Sequence, residues 1–260
     1  MLRPPVKWHG GKFYLAQRIV SLFPPHHTYV EPFGGAASVL LNKLPSPVEV
    51  YNDIDERITR LFRVLRDHPD EFLRKLVLTP YSEREWQYCN QPTEDEIEQA
   101  RRDFVRWRES IGGRGQAFSY TLHRVRRGMA DVVSGFLSAI DDQLPAIVER
   151  LRLVQITCRD ALWVIRTWDS PETLFYCDPP YYPDSVACRE VYKHNMSPEE
   201  HKRLLDLLCT CQGKVIVSGY PNELYDRVLR HWRRLVFDMP NHAAGGRKKK
   251  RCSEVLWLNW

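Results

Sequence analysis

The chain has 260 residues, of which 43% are hydrophobic and 27% charged, the composition of a globular protein able to bury a sizeable core. Lys and Arg number 38 against 33 Asp and Glu, so the formal net charge of +5 permits a polyanionic partner without demanding one. No apolar run approaches transmembrane length, and the start, Met1-Leu2-Arg3-Pro4-Pro5, lacks the apolar core of a signal peptide.

The seven cysteines are odd in number and contain no CxxC pair, which reads as reduced thiols of a cytoplasmic protein rather than a disulfide framework. Cys209-Thr210-Cys211 has no further ligands nearby in sequence, so no metal is expected.

Trp8, Gly10, Gly11 and Lys12 precede a helical pattern over 13–23, with glycines that let the backbone approach a ligand beside a ring and a cation. A short strand, Thr28-Tyr29-Val30, then runs into Glu31-Pro32-Phe33-Gly34-Gly35-Ala36-Ala37-Ser38 and a helix over 39–43. Strand, small-residue turn and helix is a nucleotide-binding arrangement, although no GxGxxG is present. The next strand, Val48-Glu49-Val50-Tyr51, ends at Asn52-Asp53-Ile54-Asp55, where a Rossmann-type fold binds ribose hydroxyls. Asp53 and Asp55 are equally suited to cap the following helix. That helix, over 56–76, is broken by Pro69.

From Tyr81 to Leu144 the character changes to charged and helical, with helices expected over 82–88 and 94–109. A glycine-rich stretch, 110–120, reads as a mobile loop among Arg101, Arg102, Arg106, Arg108, Arg114, Arg124, Arg126 and Arg127. Between Arg101 and Ala130 the only acids are Asp103 and Glu109, so the region suits phosphates and exposed bases, or a solvated helix face.

An α/β pattern then resumes: a helix over 146–151, a strand over 153–156 ending near Asp160, and a helix over 161–166. The apolar strand Leu174-Phe175-Tyr176-Cys177 leads into Asp178-Pro179-Pro180-Tyr181. An acceptor, a rigid bend and a ring at a strand's carboxyl end suit a flat ligand, although Asp and Pro also make ordinary turns. A helix over 198–208, a strand over 214–220 that ends in small residues and a helix over 223–229 follow. Two closing strands, 234–237 and 255–260, flank the basic run Arg247-Lys248-Lys249-Lys250-Arg251.

Taken together these motifs resemble the Dam-like N6-adenine DNA methyltransferases of the alpha group. Lys7-Trp8-His9-Gly10-Gly11-Lys12 resembles the N-terminal cofactor motif, and Val30 to Ser38 resembles motif one, with Ala37 where a second glycine often lies. Asn52-Asp53 resembles the acidic position after strand two, Asp178-Pro179-Pro180-Tyr181 the catalytic motif, and Glu254 to Asn259 the closing strand.

The resemblance implies a Rossmann-like α/β sheet, mostly parallel with a C-terminal antiparallel hairpin. Its catalytic domain would occupy residues 1–80 and 145–260, with an inserted, mainly helical target-recognition domain at 81–144. It implies S-adenosylmethionine as methyl donor, bound by Trp8, Lys12, Glu31, Pro32, Phe33, Gly35, Ala37, Asp53, Asp160 and Asp178. Asp178, Pro179, Pro180 and Tyr181 would be catalytic, and Arg114, Arg124, Arg126, Arg127, Lys248 and Lys249 would contact double-stranded DNA. A bacterial or phage-infected cytoplasm, a monomer or weak dimer, and room for a cognate restriction endonuclease complete the expectation. An RNA adenine methyltransferase, or a catalytically idle nucleic-acid-binding module, are the alternatives.

Overall fold

The computed structural model describes residues 1–8, 10–183, 194–240 and 251–260, with the backbone alone for 239, 240, 251 and 252. The chain forms two compact units, one of residues 1–21, 35–44 and 56–156, the other of 22–34, 45–55 and 157–260.

A seven-stranded sheet is built from β1 (Thr28–Glu31), β2 (Val48–Asn52), β5 (Gln155–Thr157), β6 (Thr173–Cys177), β7 (Lys214–Gly219), β8 (Arg233–Pro240) and β9 (Arg251–Leu258). Its order is β5-β2-β1-β6-β7-β9-β8. β1, β2, β6 and β7 run parallel, whereas β9 is antiparallel to both β7 and β8.

The central strands read as continuous apolar runs because both their faces are covered, and all five residues of β6 are buried. On one face Phe175, Cys177, Val215, Val217, Val255 and Trp257 alternate inward, the two-residue period of a strand. They meet Val164 and Ile165 of α8 (Ala161–Trp168), Leu204, Leu205 and Leu208 of α9 (Pro198–Leu208), and Tyr225 of α10 (Glu223–Val228).

The start of α9 is written in its sequence. The Ser197 hydroxyl accepts from the Glu200 amide while the Glu200 carboxylate accepts from the Ser197 amide, and Pro198 opens the first turn.

The other unit is mainly helical: α1 (Ala16–Val20), α2 (Glu56–Asp67), α3 (Pro69–Val77), α4 (Glu83–Tyr88), α5 (Glu96–Arg108), α6 (Asp131–Ser138) and α7 (Leu144–Leu151). Phe72 of α3, Phe104 of α5 and Phe136 of α6 form its aromatic core, each successive pair 6.2 Å apart. A π-helical turn, Ala139–Gln143, joins α6 to α7.

Several boundaries differ from the sequence pattern. The helix expected over 13–23 is only Ala16–Val20, since the Ser21 amide folds back on Gln17 and Ile19 and prolines follow at 24 and 25. The helix expected over 39–43 is one 3-10 turn, Leu40–Asn42, stopped before Pro45. β5 starts at Gln155 rather than Leu153, because the Val154 amide closes the end of α7 on Leu151. A hairpin of β3 (Val125–Arg126) and β4 (Met129–Ala130) was not expected, as two-residue strands are too short to show alternation.

Candidate active site

The strand order reverses between β1 and β6, which pair in parallel with Val30 opposite Phe175. In open α/β sheets ligands bind outside the carboxyl ends of strands at such a reversal. The residues leaving β1 there are Pro32, Phe33 and Gly34; those leaving β6 are Asp178, Pro179 and Pro180.

Asp178 is half-buried, and its Oδ1 accepts from the hydroxyl of Ser218 on β7 at 2.7 Å. Ser218 is itself fully buried and lies 3.0 Å from the Tyr176 hydroxyl. Tyr181 is 9% exposed, with its ring stacked on Tyr220 at 4.2 Å and its hydroxyl donating to Glu254 on β9 at 3.2 Å. Three side chains thus position the motif: Ser218, Tyr220 and Glu254. Sequence reasoning gave none of them a part; the only trace of Ser218 and Tyr220 was a run of small residues closing β7.

The next two loops are held by Asn52, which is fully buried. Its amide donates to the carbonyls of Pro32 (2.9 Å) and Arg159 (3.0 Å), and its oxygen accepts from the Thr157 hydroxyl and the Arg159 amide. All four positions of the carboxamide are therefore used, and the loops after β1, β2 and β5 are tied to one side chain. Asp53, next along, stays half-buried, and its Oδ1 accepts from the Asp55 amide at 2.8 Å. Asp160 is exposed and caps α8, accepting from the Trp163 amide at 3.0 Å. Glu31 is buried and accepts from the Tyr29 hydroxyl at 2.6 Å.

The turn after β1 is shaped by contact. A Cβ on Gly34 would lie 2.2 Å from the ring of Tyr51, which is fully buried. Burial, with the charge of Asp53 beside it, holds the Tyr51 hydroxyl well above the ordinary phenol range.

In the helical unit, Gly35 has φ +47° and a Cβ there would meet the Trp8 indole nitrogen at 2.7 Å. Ala37 also lies in the left-handed region, at φ 56°, and has no exposed surface, so what it offers the turn is backbone shape. Trp8 packs edge-on against Trp107 at 5.6 Å. Lys12 is 5% exposed and its ammonium donates to the Gly10 carbonyl at 3.0 Å.

The arginine-rich region divides in two. Arg101 and Arg102 are buried in ion pairs with Glu98, and Arg101 also with Glu85. Arg106 and Arg108 donate to the carbonyls of Gly115 and Gly135, and burial pushes Arg108 down to about 10. These bonds build structure. Arg114, Arg124, Arg126 and Arg127 are all exposed. The last three belong to the β3–β4 hairpin, whose two-residue turn, Arg127 and Gly128, has φ of 53° and 76°. Tyr120 (71% exposed) and Leu122 (78%) accompany them.

The glycine-rich loop expected to be mobile is instead tied down. A Cβ on Gly113 would lie 2.5 Å from Lys7, the Ser119 amide donates to the Glu109 carbonyl, and the Gly115 amide donates to the Ser110 hydroxyl. Lys248 and Lys249 lie outside the described residues.

Among the described residues no three His, Cys, Asp or Glu side chains gather as a metal site requires, and no helix is long and apolar enough to cross a membrane.

The sheet order, with its antiparallel closing pair and an acid leaving β6 at the reversal, defines a Rossmann-like methyltransferase fold. The chain belongs to the D12 class N6 adenine-specific DNA methyltransferase family, which matches residues 8–239. The DNA adenine methylase of Salmonella typhimurium is 23% identical over 269 aligned positions, covering 97% of this chain and 94% of that protein. The DNA adenine methylase of Haemophilus influenzae is 38% identical over 74 residues, 27% of this chain and 25% of that protein. Modification methylase StsI of Streptococcus sanguinis is 33% identical over 69 residues, which span 26% of this chain and 10% of that protein.

Proposed function

We propose that the chain transfers a methyl group from S-adenosylmethionine to N6 of an adenine flipped out of double-stranded DNA. The observation that carries the reading is the Asp178 carboxylate, set beside β1 where the strand order reverses and aimed by Ser218.

The donor set suits that cofactor. Asp53 can accept from ribose hydroxyls, the Lys12 ammonium suits a carboxylate, and Trp8 and Phe33 offer ring faces. Glu31, Pro32, Gly35 and Ala37 shape the turn, with Asp160 towards the adenine; the lack of room for a Cβ at Gly34 and Gly35 fits a backbone kept close and bare. When bound, the cofactor supplies a methyl group already activated on a sulfonium.

The protein's task is then the poor nucleophile, an exocyclic amine whose lone pair is spread into the purine. Asp178 and the Pro179 carbonyl accept the two N6 hydrogens and draw the nitrogen towards a tetrahedral shape. That localises the lone pair, an interaction strongest in the transition state. Asp178 also holds the hydrogen that N6 sheds as the new bond forms. Pro180 fixes the bend, and Tyr181, braced by Tyr220 and Glu254, is the wall for the base. Flipping costs a few kcal/mol, and stacking returns about 1–3 kcal/mol.

Residues 81–144 serve target recognition, with the exposed hairpin arginines on the DNA backbone. Expression of the chain in cells without N6-methyladenine, followed by mass spectrometry of their DNA, tests the function. The modified base appears with the native chain and not with Asp178→Ala; its absence from both overturns the reading.

A further inference from the structure

A cleft of about 200 Å³ opens in the helical unit, lined by Arg57, Asn90, Gln99, Arg106, Trp107 and Arg114. Four segments build it, one of them the turn after α4 that carries Asn90. Arg57 stands in the first turn of α2, Gln99, Asp103, Arg106 and Trp107 share one face of α5, and Arg114 projects from the glycine-rich loop.

Three arginines and one acid line it. Asp103 is the sole acid in the lining, and it is already paired with Arg60 at 3.1 Å while accepting from Gln99 at 3.3 Å. Arg101 and Arg102 on the same helix are neutralised by Glu98. Arg106 and Arg114, by contrast, make no ion pair among the described residues. Burial holds the Arg106 guanidinium below its ordinary range; the charge of Asp103 raises it and that of Arg57 lowers it, so the two arginines feel each other across the cleft.

Two of the guanidinium groups are also held in place by rings. Arg57 lies over Trp107 and Arg106 over Trp86, each 5.7 Å from the ring centre. The Arg106 bond to the Gly115 carbonyl fixes the loop that carries Arg114. Guanidinium forks already oriented lose little freedom on gripping a tetrahedral oxyanion, and their planar donors match its oxygens in pairs.

We propose that this cleft is a phosphate site in which Arg57, Arg106 and Arg114 grip one phosphate group. The phosphate is either a phosphodiester of bound DNA, which rests on the methyltransferase reading above, or a free phosphate in solution, which does not. The site lies apart from the β3–β4 hairpin in sequence and uses Arg57, a residue outside the 81–144 region.

The test compares the native chain with Arg57→Gln, Arg114→Gln and the charge-keeping Arg57→Lys, each first shown to melt at the native temperature. Affinity for a duplex oligonucleotide is measured over a salt series, and inorganic phosphate is titrated calorimetrically without DNA. If the source is DNA, each Gln variant binds the duplex about tenfold more weakly, the salt slope falls by about 1, and Arg57→Lys lies between. If the source is free phosphate, inorganic phosphate binds the native chain and is lost in both Gln variants, while the duplex slope holds. Unchanged duplex slope together with no variant-sensitive phosphate binding overturns the proposal. Arg126→Ala in the same series separates the two readings: a slope that responds to Arg126 but not Arg57, together with no variant-sensitive phosphate binding, removes the cleft alone. A native chain without salt-dependent duplex binding removes the DNA reading, and the phosphate titration then decides for the cleft.

Discussion

The carboxylate of Asp178 and the hydroxyl of Ser218 lie 2.7 Å apart, so the neighbouring strand β7 helps to aim the acid leaving β6. A hydrogen bond to a charged group contributes about 1.5–3 kcal/mol. Ser218→Ala is therefore expected to lower kcat for methyl transfer by roughly ten- to a hundredfold. Cofactor affinity should stay near native. Tritium incorporation from labelled cofactor measures the first, and an unchanged kcat would show the bond to be idle.

The turn after β1 gives two opposite expectations. Gly34→Ala drives a methyl group into the buried Tyr51 ring and should destabilise by about 1–3 kcal/mol or more. Ala37→Gly relieves a left-handed alanine and should stabilise by about 1 kcal/mol, the steric gain exceeding the added freedom of the unfolded chain. Urea unfolding of the two variants decides both signs.

Glu109 is fully buried, with one oxygen accepting from the Ser82 amide and the other without a hydrogen-bond partner among the described residues; burial raises its carboxyl to about 8. In the unfolded chain a glutamate ionises near 4.3. Between these values the unfolded state has shed a proton that the folded state retains, so stability falls as pH rises from about 4.3 to about 8. Glu109→Gln removes that loss. The variant's advantage should grow from pH 5 to pH 8, reaching about 1–3 kcal/mol. A gap constant across denaturation curves at those pH values would contradict the assignment.

Replacing Arg124, Arg126 and Arg127 together by Ala should weaken duplex binding across all sequences. It should flatten the salt dependence by up to about 0.9 for each phosphate that is no longer neutralised. Fluorescence anisotropy over a salt series reads both, and an unchanged slope would place the DNA elsewhere.

What was legible in the sequence was local. β6, β7 and α9 fall within a residue of where their runs and capping residues placed them, because a four-residue apolar run and a Ser-Pro-Glu-Glu start need no tertiary information. The acid and rings of the proposed catalytic motif could be read for the same reason. What could not be read was who holds them. Ser218 and Glu254 reach Asp178 and Tyr181 from 40 and 73 residues away, and nothing in a window of sequence marks such a pair. Asn52 looked like a companion of Asp53, whereas its carboxamide is the clamp for three loops.

The arginines show the opposite error, a local count that misled. Counting acids only between residues 101 and 130 leaves out Glu85 and Glu98, which neutralise Arg101 and Arg102 from the preceding helix and from one turn back. The glycine-rich loop was misread similarly, since its close approach to Lys7 spans more than a hundred residues.

The β3–β4 hairpin has a consequence for how such a protein diverges. From Leu122 to Met129 every residue is exposed, and the turn asks only for a pair that accepts positive φ. The core therefore exerts almost no veto over what is written there. Substitutions in this stretch can accumulate, or a whole hairpin can be exchanged, without spending the stability of the fold. On the proposed contact of this hairpin with DNA, target preference is the property of this chain most free to drift, and the easiest to graft.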